Sequence, residues 1–201
     1  MNYFVTGIDT DSGKTLASAI LCEALGYDYW KPVQAGFPKD SDAIKALVPD
    51  VTIHPETYLL KTPASPHAAA AIDGIQIDIE KFSLPKTSKG IIIEGAGGCL
   101  VPLNDSSFVI DLAPRLNAEI ILVADLYLGS INHTLLTVHL LKTRGYTIKG
   151  IIFNGNSNPE SERIIQLHSE YKLLLHISKE HTITQEIVKK YATQLKENWN
   201  G

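Results

Sequence analysis

The segment Tyr3-Phe4-Val5-Thr6-Gly7-Ile8-Asp9-Thr10-Asp11-Ser12-Gly13-Lys14-Thr15 constrains this chain more than any other stretch of it. An apolar, β-branched run enters a turn, and Gly-Lys-Thr then opens a helical pattern from about Lys14 to Leu25. Strand, glycine turn and helix in that order are the context of a phosphate-binding loop. Gly13 lets backbone N–H groups point at phosphate oxygens, the helix N-terminus adds partial positive charge, and Lys14 adds a full one. Thr15 supplies a hydroxyl for a Mg²⁺ ion bridging phosphate oxygens. Five residues, Ile8 to Ser12, separate Gly7 from Gly13, where the common pattern has four. A plain strand-to-helix turn is the bland alternative, and the Gly-Lys-Thr at the helix start argues against it.

The rest of the chain repeats the same rhythm. Ile91-Ile92-Ile93 leads to Glu94 and a glycine loop, and Ile120 to Val123 leads to Asp125 and a helix from about Ser130 to Thr143. Ile148 to Phe153 leads to Asn154 and a helix from about Pro159 to Tyr171, and Leu173 to Leu175 precedes a last helix from about Thr184 to Lys196. Continuous apolar strands imply a sheet covered on both faces, and their alternation with helices implies parallel pairing. The expectation is an α/β fold: a doubly wound, mainly parallel sheet with helices on both faces, like a P-loop NTPase, in a single domain over 1–201. The region from about Phe37 to Ser88 is less regular, with short helical patterns at Asp42 to Leu47 and Asp78 to Ser83, and reads as excursions from the sheet. In such folds the chemistry gathers beyond the carboxyl ends of the strands. Those ends carry Thr6-Gly7, Lys31, Glu94-Gly95, Asp125 and Asn154.

Charge and cysteine usage narrow the class. The formal net charge of −4 over 201 residues, without a basic run, gives no case for nucleic acid as a partner. No signal peptide pattern opens the chain and its apolar runs are too short to span a bilayer, so no membrane partner is expected. Cys22 and Cys99 lack metal-ligand spacing and read as free thiols of a reducing, cytoplasmic compartment.

Further segments carry chemistry. Lys31, in Lys31-Pro32-Val33-Gln34-Ala35-Gly36, closes a strand that ends at the edge of the phosphate loop. Alone it reads more often as a solvated surface lysine; with Lys14 it suits a reaction that holds a γ-phosphoryl group beside a second anion. Glu94 stands at a strand end before Gly95-Ala96-Gly97-Gly98, where it can hold Mg²⁺ directly or through water, or simply cap a turn. Asp42, in Asp40-Ser41-Asp42-Ala43, falls in the first turn of a helical run whose N-cap is Asp40 or Ser41, and is free for a second metal contact.

Together, YFVTGIDTDSGKT, KPVQAG, DSDA, SPHAAA, IIIEGAGGCLVPL, ILVADLYLGSINHTLLT and GIIFN resemble the dethiobiotin synthetase family across nearly the whole chain, including the five-residue spacing. The resemblance implies ATP as co-substrate, held by Asp11, Ser12, Gly13, Lys14, Thr15, Glu94, Gly97 and Asn154, with Asn154 reading the adenine edge. It implies Mg²⁺ at Thr15, Asp42 and Glu94, and catalytic roles for Lys31, Lys14 and Thr10. It implies 7,8-diaminopelargonate and CO₂ as the other substrates, bound by Thr10, Asp11, Lys31 and the helix start Gly129-Ser130-Ile131-Asn132 across a homodimer interface. Ala35 stands where the family commonly has a hydroxyl, Asp11 where a longer Glu occurs, and His176-Ile177-Ser178 lacks an expected proline. Rival readings are a partitioning-type ATPase switch and a corrinoid amidating ligase. The first often has an early extra lysine where this chain has Asp9, and a membrane helix where the tail Gln194 to Gly201 is polar; the second needs a glutaminase module for which 201 residues leave little room.

Overall fold

A computed structural model describes residues 1–199, so Asn200 and Gly201, the end of that polar tail, lie outside the described residues. The main sheet is assembled from β1 (Asn2–Gly7), β2 (Asp28–Trp30), β4 (Ile53–His54), β6 (Ile91–Gly98), β7 (Ala118–Asp125), β8 (Ile148–Asn154) and β9 (Leu173–Ile177). Their order is β4-β2-β6-β1-β7-β8-β9 and every pairing is parallel. The strand that feeds the phosphate loop therefore lies at the centre, and all the strand ends named above meet on one edge.

Parallel strands buried on both faces need apolar residues at consecutive positions. Phe4, Ile91, Ile93, Ile120, Leu122, Ile151 and Phe153 point into one core. Tyr3, Val5, Ile92, Ile121, Val123 and Ile152 point into the other. The second core is closed by α1 (Lys14–Leu25), α2 (Asp40–Leu47) and α7 (Gln185–Trp199), which supply Ala17, Ile20, Leu21, Ile44, Val188, Tyr191 and Leu195. The first is closed by α3 (Pro66–Asp73), α4 (Leu112–Arg115), α5 (Ser130–Thr143) and α6 (Pro159–Ser169), through residues including Ala69, Leu112, Val138 and Ile165.

The helices expected at Lys14 to Leu25 and Ser130 to Thr143 have those bounds, each starting after a glycine in the left-handed region, Gly13 and Gly129. Other bounds differ for local reasons. The helix expected to reach Tyr171 stops at Ser169, because Glu170 takes a positive φ and caps it. The run expected as a helix at Asp78 to Ser83 is one 3₁₀ turn, Ile79–Lys81, capped by the Asp78 side chain. β3 (Val33–Ala35) and β5 (Tyr58–Leu60) stand outside the main sheet as a separate parallel pair, and the chain between them returns to the main sheet once, as the edge strand β4. That small sheet and α3 form one wall of the cleft described next.

Candidate active site

Gly13 sits at φ +93, and a Cβ there would fall 2.4 Å from the Asn154 amide nitrogen, so only glycine fits. Asn154, from the end of β8, donates from Nδ2 to the Ser12 carbonyl at 3.1 Å and clasps the loop. Lys14 is buried and folds back over the loop, donating from Nζ to the carbonyls of Asp9 (2.8 Å) and Thr10 (2.7 Å). Burial pushes its pKa down to about 8, against the pull of Glu94 and with the help of Lys31. Asp9, Thr10 and Asp11 are exposed at the loop tip.

Glu94 is the hub. It is buried, and its Oε1 accepts from Thr15 Oγ1 at 2.9 Å and from Lys31 Nζ at 3.0 Å, while Oε2 accepts from Tyr29 OH at 2.9 Å. These groups come from α1, the residue after β2, and β2, and they meet because β2 and β6 are paired neighbours. Burial, then the charge of Glu94, raises the Tyr29 phenol well above its ordinary pKa, so it stays a donor. Lys31 is buried and bridges Glu94 and Asp40. Burial works against its charge, but the two carboxylates outweigh it and hold its pKa above the ordinary lysine value.

Beside this hub opens a cleft of about 530 Å³, lined by Thr10, Lys31, Ala35, Asp40, Ser65 and Gly97 among others. The glycine loop expected after Glu94 is instead a continuation of β6 to Gly98. Gly97 has φ +71 and packs against Val101 and Thr10, so the strand passes close to the phosphate loop.

Comparison with known proteins agrees with this geometry. The AAA domain family matches residues 1–187. The ATP-dependent dethiobiotin synthetase BioD of Cytophaga hutchinsonii is 57% identical over 201 residues, covering 98% of each chain. That of Christiangramia forsetii is 45% identical over 199 residues, covering 97% of this chain and 96% of the relative. This chain belongs to the ATP-dependent dethiobiotin synthetase family.

Solved structures show the fold more widely. The cell division ATPase MinD of Pyrococcus furiosus superposes with a TM-score of 0.59 at 18% identity, covering 98% of both chains. A ParA family ATPase from Chlorobium tepidum gives 0.58 at 15% identity, covering 98% of this chain and 94% of that one. At such identities the likeness is one of fold, and full-length identity separates the dethiobiotin synthetases from the partitioning-type alternative.

Within this synthetase, Lys14, Thr15, Lys31 and Glu94 are brought together, with Thr10 and Gly97 on the adjoining cleft. Asp42 is not part of that network: it is exposed in the first turn of α2 and lines a neighbouring surface with Lys39, Ser41 and Lys45. Asp40 is the acid of this turn that meets Lys31, because α2 begins at Asp40 with Lys39 as its N-cap. Gly129, Ser130, Ile131 and Asn132 stand at the start of α5 and none of them lines the cleft. Tyr29 and Asp40 are the site residues that sequence reasoning missed. Tyr29 carries no local signal, and Asp40 was read as a cap.

The donor set suits a hard cation. Glu94 Oε1 and Thr15 Oγ1 are adjacent oxygens, and among the described residues no group of three or more His, Cys, Asp or Glu could hold a metal by itself. Such a pair fits an ion whose remaining positions are filled by phosphate oxygens and water, the usual habit of Mg²⁺. Cys22 and Cys99 are free and buried, and burial raises both thiols above their ordinary pKa. Among the described residues no helix is long and apolar enough to cross a membrane.

Proposed function

We propose that this chain closes the ureido ring of dethiobiotin from 7,8-diaminopelargonate, CO₂ and ATP. The observation that supports it most is that two buried lysines from separate segments, Lys14 and Lys31, both feel the charge of Glu94, with Lys31 paired to it and lining the adjoining cleft. A nucleotide switch needs the phosphate-loop lysine; a second buried, charge-paired lysine facing a cleft suits a second anionic reactant.

The chemistry runs in three steps. One amine adds to CO₂ and loses a proton, giving a carbamate. A carbamate oxygen attacks the γ-phosphorus of ATP, ADP leaves, and a carbamic–phosphoric anhydride forms. The second amine attacks the anhydride carbonyl, the ring closes with loss of a proton, and phosphate departs. No covalent nucleophile on the protein is required, only positioning and charge stabilisation.

In this reading Lys14 and the backbone of Ser12 and Gly13 hold the phosphates, and Lys31 holds the carbamate oxygen and the phosphoryl group in transit. Thr10 lies beside the reacting atoms and Asp11 beside the amines. Thr15 and Glu94 would hold Mg²⁺, and Asp42, the carboxylate the family resemblance adds, would have to turn in from the neighbouring surface that it lines. The ion would neutralise the γ-phosphate charge. Asn154 serves the base side from its clasp on the loop. The start of α5, Gly129 to Asn132, offers backbone N–H groups to the substrate carboxylate across a homodimer interface. Tyr127, Leu128 and Leu136, exposed beside that helix start, support such an interface. Two unpaired, buried thiols suit the reducing cytoplasm.

Purified protein given diaminopelargonate, bicarbonate, Mg²⁺ and ATP is expected to yield dethiobiotin by mass, with ADP forming only when all are present. Lys31→Ala is expected to bind ATP and make no product. Phosphate release that ignores diaminopelargonate, or wild-type turnover in Lys31→Ala, contradicts the proposal.

A further inference from the structure

The Lys31 ammonium rests on two carboxylates, and they are not equivalent. Glu94 is already shared by Thr15 and Tyr29 and is the acid that the proposed Mg²⁺ recruits. Among the described residues the Asp40 carboxylate has Lys31 as its side-chain partner. Its own backbone N–H donates to Gln34 Oε1 at 3.1 Å, and the Gln34 amide donates to the Gly36 carbonyl at 3.2 Å. The next residues are anchored as well: Ser41 Oγ donates to Glu56 at 2.9 Å, and Lys39 pairs with the same carboxylate at 3.3 Å. The start of α2 is thus fixed from both sides, and it carries a carboxylate at the rim of the cleft with one charged partner.

We infer that Asp40 is a positioning residue for Lys31, the fixed carboxylate that keeps the ammonium at the cleft when Glu94 turns to the metal–nucleotide. This rests on the proposed reaction, in which Lys31 must stay beside the carbamate while Glu94 serves the ion. Without Asp40 the loaded site leaves Lys31 the long bond to the Gly95 carbonyl, at 3.4 Å, in place of an anchored carboxylate, and the ammonium shifts from its position at the cleft. A misplacement of about 1 Å in such a group costs on the order of a hundredfold in rate.

The test compares wild type with Asp40→Asn and Asp40→Glu. Asparagine keeps the helix start and the backbone bond to Gln34, and thermal unfolding checks that the fold is intact. Three readings are made: kcat, the Kd of Mg–ADP by calorimetry, and the rate at which an amine-acylating reagent labels Lys31 with Mg–ADP bound. In Asp40→Asn, kcat is expected to fall about tenfold or more and Lys31 to label faster, while the Kd for Mg–ADP stays within about threefold. Asp40→Glu is expected to recover most of kcat. Unchanged kcat and labelling in Asp40→Asn overturn the inference, and so does a loss of Mg–ADP affinity in step with kcat, which would make Asp40 a ligand of the ion instead. If wild type makes no dethiobiotin, the proposed reaction falls; the labelling arm still decides what Asp40 does.

Discussion

At the scale of single residues the site is a set of charges brought into a low-dielectric pocket, and each charge has a named reason to be tolerated there. Lys14 is the least well compensated, since among the described residues its Nζ is held by the carbonyls of Asp9 and Thr10 and by no carboxylate. Its pKa of about 8 lies below the ordinary lysine value of 10.5. Free Lys14 therefore loses its proton as pH rises through about 8, while a triphosphate selects the ammonium form. Nucleotide binding should take up a proton above about pH 8, and affinity should fall as pH rises further. Calorimetry just above pH 8, in buffers of different ionisation enthalpy, reads this directly. Buffer-independent heats, or the same proton uptake in Lys14→Met, contradict it. Lys14, Thr15 and Glu94 were legible in the sequence because strand, loop and helix follow one another there. Tyr29 was not, since its bond to Glu94 spans 65 positions and depends on which strands are neighbours.

At the scale of elements, the helices with clear punctuation were read to the residue. Gly13 and Gly129 both start a helix, and both reading and structure agree there. The Asp40-Ser41-Asp42 turn shows the opposite case. Two acids flank a serine, and a shift in helix start of one or two residues decides which acid faces Lys31; periodicity does not resolve that. Gly95, Gly97 and Gly98 read as a loop but continue β6, whose pairing with β1 runs on to Gly98 opposite Gly7. The last helix was recognised from its apolar stripe, and Val188, Tyr191, Ala192 and Leu195 are its buried face. It closes the core over α1 and lies outside the cleft lining. Leu195→Ala should therefore cost about 2–5 kcal/mol of stability, read as a lower denaturant midpoint, with KM for ATP unchanged. A KM shift without loss of stability would place α7 in the site.

At the scale of the whole molecule, strand order does most of the work. Placing β1 between β6 and β7 puts the phosphate loop beside Glu94 on one side and beside the α5 start and Asn154 on the other. The architecture follows from apolar, β-branched runs that alternate with helices, which is why it could be read from the sequence. Strand order itself could not, because it is settled by packing between segments far apart in the chain. The exposed Tyr127, Leu128 and Leu136 define the surface on which the proposed dimer would form. Sedimentation is expected to show twice the chain mass, and Leu128→Asp is expected to give a monomer with weakened diaminopelargonate binding and normal Mg–ADP binding. A wild-type monomer, or an unperturbed Leu128→Asp dimer, contradicts that assembly.

The central claim is that Lys14, Lys31 and Glu94 direct the γ-phosphoryl group of ATP onto a carbamate oxygen. A single turnover started with ¹⁸O-bicarbonate, with the mass of the released phosphate read at once, tests it most directly. The account predicts that each phosphate carries an oxygen derived from CO₂. Phosphate whose added oxygen comes from solvent water would contradict it.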